Sequence, residues 1–441
     1  MTKIVNPNAG GIDIASAVHY VAVPEEKCKE NVRSFKSFTR DLHKLANWLV
    51  ECGVDTVAME STGVYWYHLY TILLDYGIEV YLVNAYHVKN VPGRKSDVSD
   101  AQWLQELHTS GYLKPCFQPD NLTRALRNYV RQRKILVCDM STETLRMQKA
   151  MVQMNIKLHD VISDIHGVTG TSILNAILAG ERDAEKLAEL NNYRIKASKE
   201  TLIKSLEGNW REEELFNLAM AYKRYKFNKS LLLDCDRECE KIVAQLAKGS
   251  VHDKEIKPLP SAKNQPTFNV RKYLYQTYGV DVTMIYGFKQ TSALTVLSET
   301  GPNIKEKFPT LKQFLSWLNV VPNNKISGDK IISSRVKKKK NNAGQTFREA
   351  ANTLWNAKNP LGDYLRTKKS KSGSGQAIVA TAKKLATIFY KMVTEKVEFD
   401  PYILDGNRQN YLQHKAKRLQ KALESTNLLI AQCQHVKPTV R

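Results

Sequence analysis

Two stretches without glycine or proline, residues 120–166 and 209–248, constrain this chain more than anything else in it. With the strongest chain breakers absent over such lengths, long helices are the natural outcome. In the first stretch Leu122, Leu126, Tyr129, Leu136, Met140 and Met147 recur at spacings of three, four and seven, interrupted by Arg133 and Glu143. That pattern predicts a long, imperfect coiled-coil-like helix. The second stretch predicts a partner packed antiparallel to it, with 167–208 as a small helical tip. Such a pair reads mostly as scaffold, with reach and dimerisation as its uses.

The chain has 441 residues, too many for one compact core, so two or three domains are expected. No segment has the uncharged apolar length of a membrane span, and the N-terminus lacks a secretory pattern. Seven scattered cysteines (Cys28, Cys52, Cys116, Cys138, Cys235, Cys239, Cys433) fit a reducing cytoplasm better than a disulfide framework.

Before the long helices, residues 11–83 alternate between strand and helix patterns. Ile12–Ala15, Val18–Val23 and Val32–Phe38 read as three consecutive strands. Asp41–Cys52 reads as a helix with Leu42, Leu45, Leu49 and Val50 on one face and Gly53 as its stop. Thr56–Met59 is a further strand, Ser61 or Thr62 can cap a helix through Tyr65–Leu74, and Glu79–Val83 closes the pattern. The result is an α/β domain with a mixed sheet. Pro92-Gly93 then breaks the chain, and Ser96 can cap a helix from Asp97 to about His108.

Four carboxylates stand out in this region. Asp13 sits inside an apolar strand, Glu60 ends another, and Asp97 and Asp100 lie three apart at a helix start, on one side of its first turn. An acid within a buried strand is costly unless a cation compensates it. Hard oxygen ligands suit Mg²⁺ or Mn²⁺, and such ions serve phosphodiester chemistry. The same residues also have local readings: Asp97 and Asp100 complement a helix dipole, and Glu60 caps.

Charge is unevenly spread. The net charge is +22, and residues 320–441 alone hold 24 Lys/Arg against 8 Asp/Glu, while the first hundred residues are close to neutral. A bias of that size points to a polyanionic partner, nucleic acid above all. Within it Ser327-Gly328 reads as a turn, followed by Arg335, Lys337, Lys338, Lys339, Lys340 and Arg348, then Arg366 and Lys368–Lys371. Clustered cations gather phosphates, or form a solvated face. Gly249–Asn269, with Pro258, Pro260 and Pro266, reads as a hinge, residues 270–400 as mostly helical, and Arg408–Cys433 as a basic helix.

Three lesser features carry less. Cys235 and Cys239 have helical spacing but no nearby ligand partners, which makes them core or exposed thiols rather than a zinc site. Tyr65, Trp66 and Tyr67 either stack on bases or pack their helix. Ile165-x-Gly167-x-x-x-Thr171-Ser172-x-Leu174 returns as Ile285-x-Gly287-x-x-x-Thr291-Ser292-x-Leu294. A glycine turn before a helix resembles half of a helix-hairpin-helix, whose N–H groups hold DNA phosphates; two amphipathic helix starts also look alike by chance.

Five segments in order resemble one family: GIDIA at Asp13, MESTGVYW at Glu60, GRKSDVSDAQWL at Asp97 and Asp100, VPNNKISG at Ser327, and GQAIVATAKKLATIFYKM at 375–392. They are similar to the DEDD transposases of the IS-one-ten family of bacterial insertion sequences. The resemblance implies a RuvC-like domain of RNase H fold over residues 1–115 and a coiled-coil insertion over 116–265. It further implies a mostly helical transposase domain over 266–400, with 401–441 as a basic helix and tail. Asp13, Glu60, Asp97 and Asp100 match the family's metal-binding tetrad, for Mg²⁺ or Mn²⁺. Ser327 matches its catalytic serine, which forms a phosphoserine link to DNA.

The same resemblance implies donor and target double-stranded DNA as substrates, with a structured non-coding bridge RNA reading sequence by base pairing. Homodimers assemble to tetramers, one subunit's acids meet another's serine, and the setting is the bacterial cytoplasm and nucleoid. Arg335 and its neighbouring lysines, with Arg348, are the expected nucleic-acid contacts. Residues of about 160–265 are longer than in the shorter family members, so no RNA-contacting residue carries over there. Three rivals stand beside this reading. One is a RuvC-like nuclease acting through water. Another is an actin-like ATPase, for which further glycine-rich phosphate loops are missing. The last is a non-catalytic nucleic-acid-binding protein.

Overall fold

A computed structural model of the chain describes residues 4–61, 63–84, 97–191, 195–252, 254–336, 341–400 and 408–434, with only the backbone of 97–99, 408–411 and 432–434. The chain divides into two compact units, one up to Gln118 and the other from Pro119.

The first unit runs β1 (Ala9–Ile14), β2 (Val18–Ala22), β3 (Val32–Lys36), α1 (Thr39–Glu51), β4 (Thr56–Glu60), α2 (Trp66–Asp75), β5 (Glu79–Val83) and α3 (Asp97–Thr109). The strands form one sheet in the order β3-β2-β1-β4-β5. β1, β2 and β3 pair antiparallel, whereas β1–β4 and β4–β5 are parallel. Alternation within the strands decides what each face holds. Ile12, Met59, Val57 and Leu82 are buried against Leu45 and Leu49 of α1 and Leu69 and Leu73 of α2. Each such side chain contributes roughly 1.5–3 kcal/mol by leaving water. On the opposite face Ala58 and Val83 pack with Leu104 of α3 and with Leu113.

The second unit begins with α4 (Asn121–Gln153), capped by the Asp120 carboxylate, which accepts from the Thr123 N–H at 2.8 Å. α5 (Leu158–Val161), α6 (Val168–Leu178), α7 (Ala184–Glu189) and α8 (Lys199–Leu206) lead into α9 (Glu212–Leu246). α4 and α9 are antiparallel, because Arg133 meets Asp236 while Glu143, further along α4, meets Arg224, earlier on α9. The two polar interruptions of the apolar stripe are thus each answered by an opposite charge on the partner helix. Met140, Met147, Met151, Leu218 and Tyr222 share their core with Ile173, Leu187 and Leu202 of the short helices.

Beyond these lie α10 (Val270–Tyr278), a 3₁₀ turn (Val282–Met284), α11 (Gln290–Thr300), α12 (Ile304–Lys307) and α13 (Leu311–Trp317). Then come the strands β6 (Lys325–Ser327) and β7 (Lys330–Ser333), followed by α14 (Asn342–Asn352), α15 (Pro360–Ser372), α16 (Ser374–Glu395) and α17 (Arg408–Gln434). Phe389 of α16 centres an aromatic core, touching Tyr278, Phe288, Phe314 and Phe347.

The mixed sheet followed by a mostly helical remainder agrees with the expected fold class. Several local expectations fail, each for a physical reason. The first long helix stops at Gln153 rather than reaching His166, because Asn155 turns into the left-handed region (φ 58°) that asparagine tolerates. Ser61 does not cap α2, whose N-cap residue is Tyr65 and makes no side-chain capping hydrogen bond; Thr62 and Ser96 lie outside the described residues. The proline-rich segment read as a hinge is fastened: Arg133 donates to the Asn264 carbonyl, and Thr267 donates through its N–H and hydroxyl to Asp236.

The sequence echo also diverges. Gly167 is the N-cap of α6 with φ −69°, whereas Gly287 precedes the α11 cap Lys289 and is left-handed at φ 74°. A Cβ on Gly287 would sit 2.6 Å from the Ala350 carbonyl oxygen. The second copy therefore packs against α14 rather than repeating the first.

Candidate active site

β1 and β4 run side by side in parallel, with Ile12 opposite Met59 as their last paired residues. Asp13 and Glu60 follow next, so they neighbour each other across the two strands and share a face, both half-buried. That face is the one opposite Ile12 and Met59. Glu60 in turn pairs with Val83, which packs with Leu104 of α3. α3 therefore covers the carboxylate face.

The course of α3 follows from its anchors. Val5 and Asn6 donate backbone N–H groups to the Thr109 carbonyl at 2.8 and 3.0 Å, and the Asn6 side chain donates to the His108 carbonyl. Further along the strand, Gly11 lies against Ala101 and Gln105 so closely that a Cβ there would be 2.2 Å from the Ala101 oxygen. Helix and strand thus run in opposite directions, and the first turn of α3 arrives at the end of β1 where Asp13 lies. Asp100 is exposed on that turn, and Asp97 opens the helix; its side chain lies outside the described residues. Among the described residues no three His, Cys, Asp or Glu side chains form a complete cation cage. The donor set at this edge is nonetheless all carboxylate oxygen, the chemistry that Mg²⁺ and Mn²⁺ prefer. In open α/β sheets, ligands sit beyond the carboxyl ends of strands, which is where these residues stand.

One neighbour of this edge was not singled out by sequence. Tyr20 lies opposite Asp13 on β2. The chain leaving Glu60 exposes Val64, Tyr65 and Tyr67, whereas Trp66 is half-buried and meets Tyr70 edge-on at 5.7 Å. Of the three consecutive aromatics, then, one packs the helix and two face solvent. The pairing of Tyr20 with Asp13 depends on strand register, and no local pattern reveals it.

In the second unit Ser327 is the last residue of β6, paired with Lys330 across a two-residue Gly328-Asp329 turn, and it is exposed. Gly328 takes φ 56°, which glycine adopts without steric cost. The segment expected to be a bare turn between helices is therefore a hairpin. Its outer residues Ile326, Ile331 and Ile332 are 60–69% exposed. Arg335 closes the hairpin base: its carbonyl accepts from the Asn323 N–H at 3.0 Å, and its side chain is exposed.

The other expected cations divide by role. Lys337, Lys338, Lys339 and Lys340 lie outside the described residues. Arg348 donates to the carbonyl of left-handed Asn319, and burial lowers its pKa. Arg366 donates to the Trp355 and Ala357 carbonyls and to Asp363. Both guanidinium groups thus hold backbone turns in place. Cys239 is buried, which pushes its thiol up to about 12.

Known families place this arrangement. A model described as transposase, for the DEDD enzymes of IS110 elements, matches residues 10–156. A second, described as transposase of the IS116/IS110/IS902 family, matches residues 281–366. The first match spans the carboxylate sheet and α4; the second spans the Ser327 hairpin. No curated protein matches the chain. The chain belongs to the IS110 family of transposases, enzymes that cut and recombine DNA. Among the described residues no helix is long and apolar enough to cross a membrane.

Proposed function

We propose that this transposase moves an insertion sequence by RNA-guided strand cleavage and exchange, with Ser327 as nucleophile and Asp13, Glu60, Asp97 and Asp100 as the ligands of a divalent cation. The observation that carries the reading is the register that sets Asp13 beside Glu60, beneath the first turn of α3. A bound Mg²⁺ or Mn²⁺ would supply Lewis-acid stabilisation of charge on a phosphate oxygen. The mixed sheet, three antiparallel strands followed by two parallel ones, is compatible with a RuvC-like RNase H fold. The long helix pair would be the family's coiled-coil insertion, and the stretches 1–115, 116–265, 266–400 and 401–441 its domains.

In this scheme a bond forms between Ser327 Oγ and the scissile phosphorus as the bond from phosphorus to the 3′ oxygen breaks. The serine proton passes to solvent and the departing 3′ oxygen takes one up. Attack by the 3′ hydroxyl of the exchanged strand reverses the step and frees the serine, so the phosphodiester energy is kept in the covalent link. An exposed residue at a hairpin end suits this task, because a DNA backbone reaches it without opening the core. Arg335, with Lys337–Lys340, would hold phosphates around it. The acids of one subunit would serve the serine of another within dimers and tetramers, and a structured bridge RNA would choose donor and target by pairing.

The test incubates the protein with labelled donor and target DNA and the element's non-coding RNA, then measures covalent protein–DNA adduct. Wild type should give an adduct on the Ser327 peptide, and Ser327→Ala none. Cleavage without adduct in both proteins would identify a water-dependent nuclease. Cleavage that proceeds equally well without the RNA would remove the guide.

A further inference from the structure

The terminal helix α17 spans 27 residues, and every described side chain on it, 412–431, is exposed. Isolated helices gain little stability in water without a packed face, so a helix of this length calls for a partner. Leu412, Leu419, Leu423 and Ile430 are 48–61% exposed. Together with Ala416 and Thr426 they follow alternating steps of four and three: 412, 416, 419, 423, 426, 430. That is the seam of a left-handed two-helix packing. Thr426 turns its hydroxyl onto the Ala422 carbonyl at 2.9 Å, which satisfies its polar atom within the helix. Leu429 flanks the seam, and Leu428 falls outside it.

We propose that α17 pairs with α17 of a second copy of this chain, in antiparallel orientation about a two-fold axis near Lys421. Two observations select this occupant. The first is layer matching. Reversing one helix about that axis sets Leu412 against Ile430, Ala416 against Thr426 and Leu419 against Leu423, and each pairing recurs on the other side of the axis. Large meets large and small meets small in all six layers, as an isologous interface requires.

The second observation is charge. Residues 408–421 carry Arg408, Lys415, Lys417, Arg418 and Lys421 with no acid, while residues 422–434 carry no Lys or Arg and one acid, Glu424. A parallel pair would bring the two cationic halves together within a Debye length. The antiparallel pair sets each cationic half beside the other helix's half that has Glu424 as its one charge. Its flanking positions bring Gln413 to Asn427 and Gln420 to Gln420, so no like charges meet. A nucleic acid would take the cationic side and leave the apolar stripe uncovered; a membrane surface would cover the stripe but would leave the matching of its layers about Lys421 without a counterpart.

The test uses the full chain. Light scattering gives the mass of wild type and of a Leu419→Asp/Leu423→Asp variant, with circular dichroism checking that the rest remains folded. The variant should weaken self-association at least tenfold. In parallel, an Ala416→Cys/Thr426→Cys variant is oxidised with glutathione disulfide and the linked peptides are mapped. Positions 416 and 426 of one helix lie about 15 Å apart along its axis, too far for a disulfide within the chain. A 416–426 link between chains is the expected product. Links of 416 to 416 or 426 to 426 would establish a parallel pair and overturn the proposal. An unlinked product, or an unchanged mass in the aspartate variant, would overturn it as well.

Discussion

Arg133 donates to Asp236 at 2.6 Å across the two long helices, with 5% and 1% of their side chains exposed. Asp236 also accepts from the N–H and hydroxyl of Thr267, and Arg133 reaches the Asn264 carbonyl. The pair therefore joins three segments in a place from which water is excluded.

Breaking such a pair from one side leaves a buried charge uncompensated. Asp236→Leu should destabilise the second unit by about 3–5 kcal/mol. The double change Arg133→Met/Asp236→Leu should recover most of that loss. Thermal unfolding of the three proteins checks this; equal losses in the single and double variants would show that the charge is not the cause.

Asp13→Asn removes one anion from the carboxylate edge while keeping its size. Mn²⁺ should raise the melting temperature of wild type and leave the variant's nearly unmoved, with binding weakened at least tenfold by calorimetry. The measurement needs neither DNA nor turnover. An unchanged Mn²⁺ affinity would remove Asp13 from the ligand set.

Gly11→Ala tests how α3 is seated. Its new methyl would lie 2.2 Å from the Ala101 oxygen and 2.3 Å from the Gln105 nitrogen, both backbone atoms that cannot step aside alone. The helix must shift, at a cost of about 1–3 kcal/mol. If α3 sets the position of Asp97 and Asp100, the Mn²⁺-dependent stabilisation should fall with it. Unfolding curves with and without Mn²⁺ separate the two effects.

His108 is fully buried beneath Tyr81, with Nε2 2.9 Å from the Thr56 hydroxyl and Nδ1 without a hydrogen-bond partner. Burial lowers its pKa from 6.5 to about 4, opposed in part by Asp55. Between these values the unfolded chain takes up a proton that the folded chain refuses. Its contribution is therefore intact above pH 6.5 and is lost progressively as the pH falls towards 4. Melting curves of wild type and His108→Phe across that window should converge at the acid end. Parallel curves would assign the acid sensitivity elsewhere, His166 first, whose pKa burial also lowers to about 4.

Where one dominant local signal exists, structure follows sequence closely. The leucines of α1, at steps of three and four, bury as a stripe while Val50, expected on the same face, is exposed, and the strands around Asp13 and Glu60 fall at β1 and β4, the first beginning three residues before its pattern and the second ending one residue after it. The carboxylates were visible as types out of place. That a glutamate ending a neighbouring strand can meet Asp13 follows from the strand pattern; the register that sets Glu60 directly beside it does not, because strand order and register are set by long-range pairing. The Ser327 hairpin was missed because Lys325–Ser333 is short and mostly exposed, so burial leaves no alternating pattern; only Gly328-Asp329 marks the turn. Arg348 and Arg366 look like phosphate ligands by type, yet carbonyl groups brought close by the fold claim them.

Glu299, at the end of α11, receives Arg127 and Arg131 from α4 and Asn342 from α14. This rivets the root of a helix about 50 Å long to the helical block that carries Ser327. The other end of that helix holds the small helical tip, and Arg133 and Glu143 brace it along the way. Mechanically the assembly is a stiff lever with a clamped base.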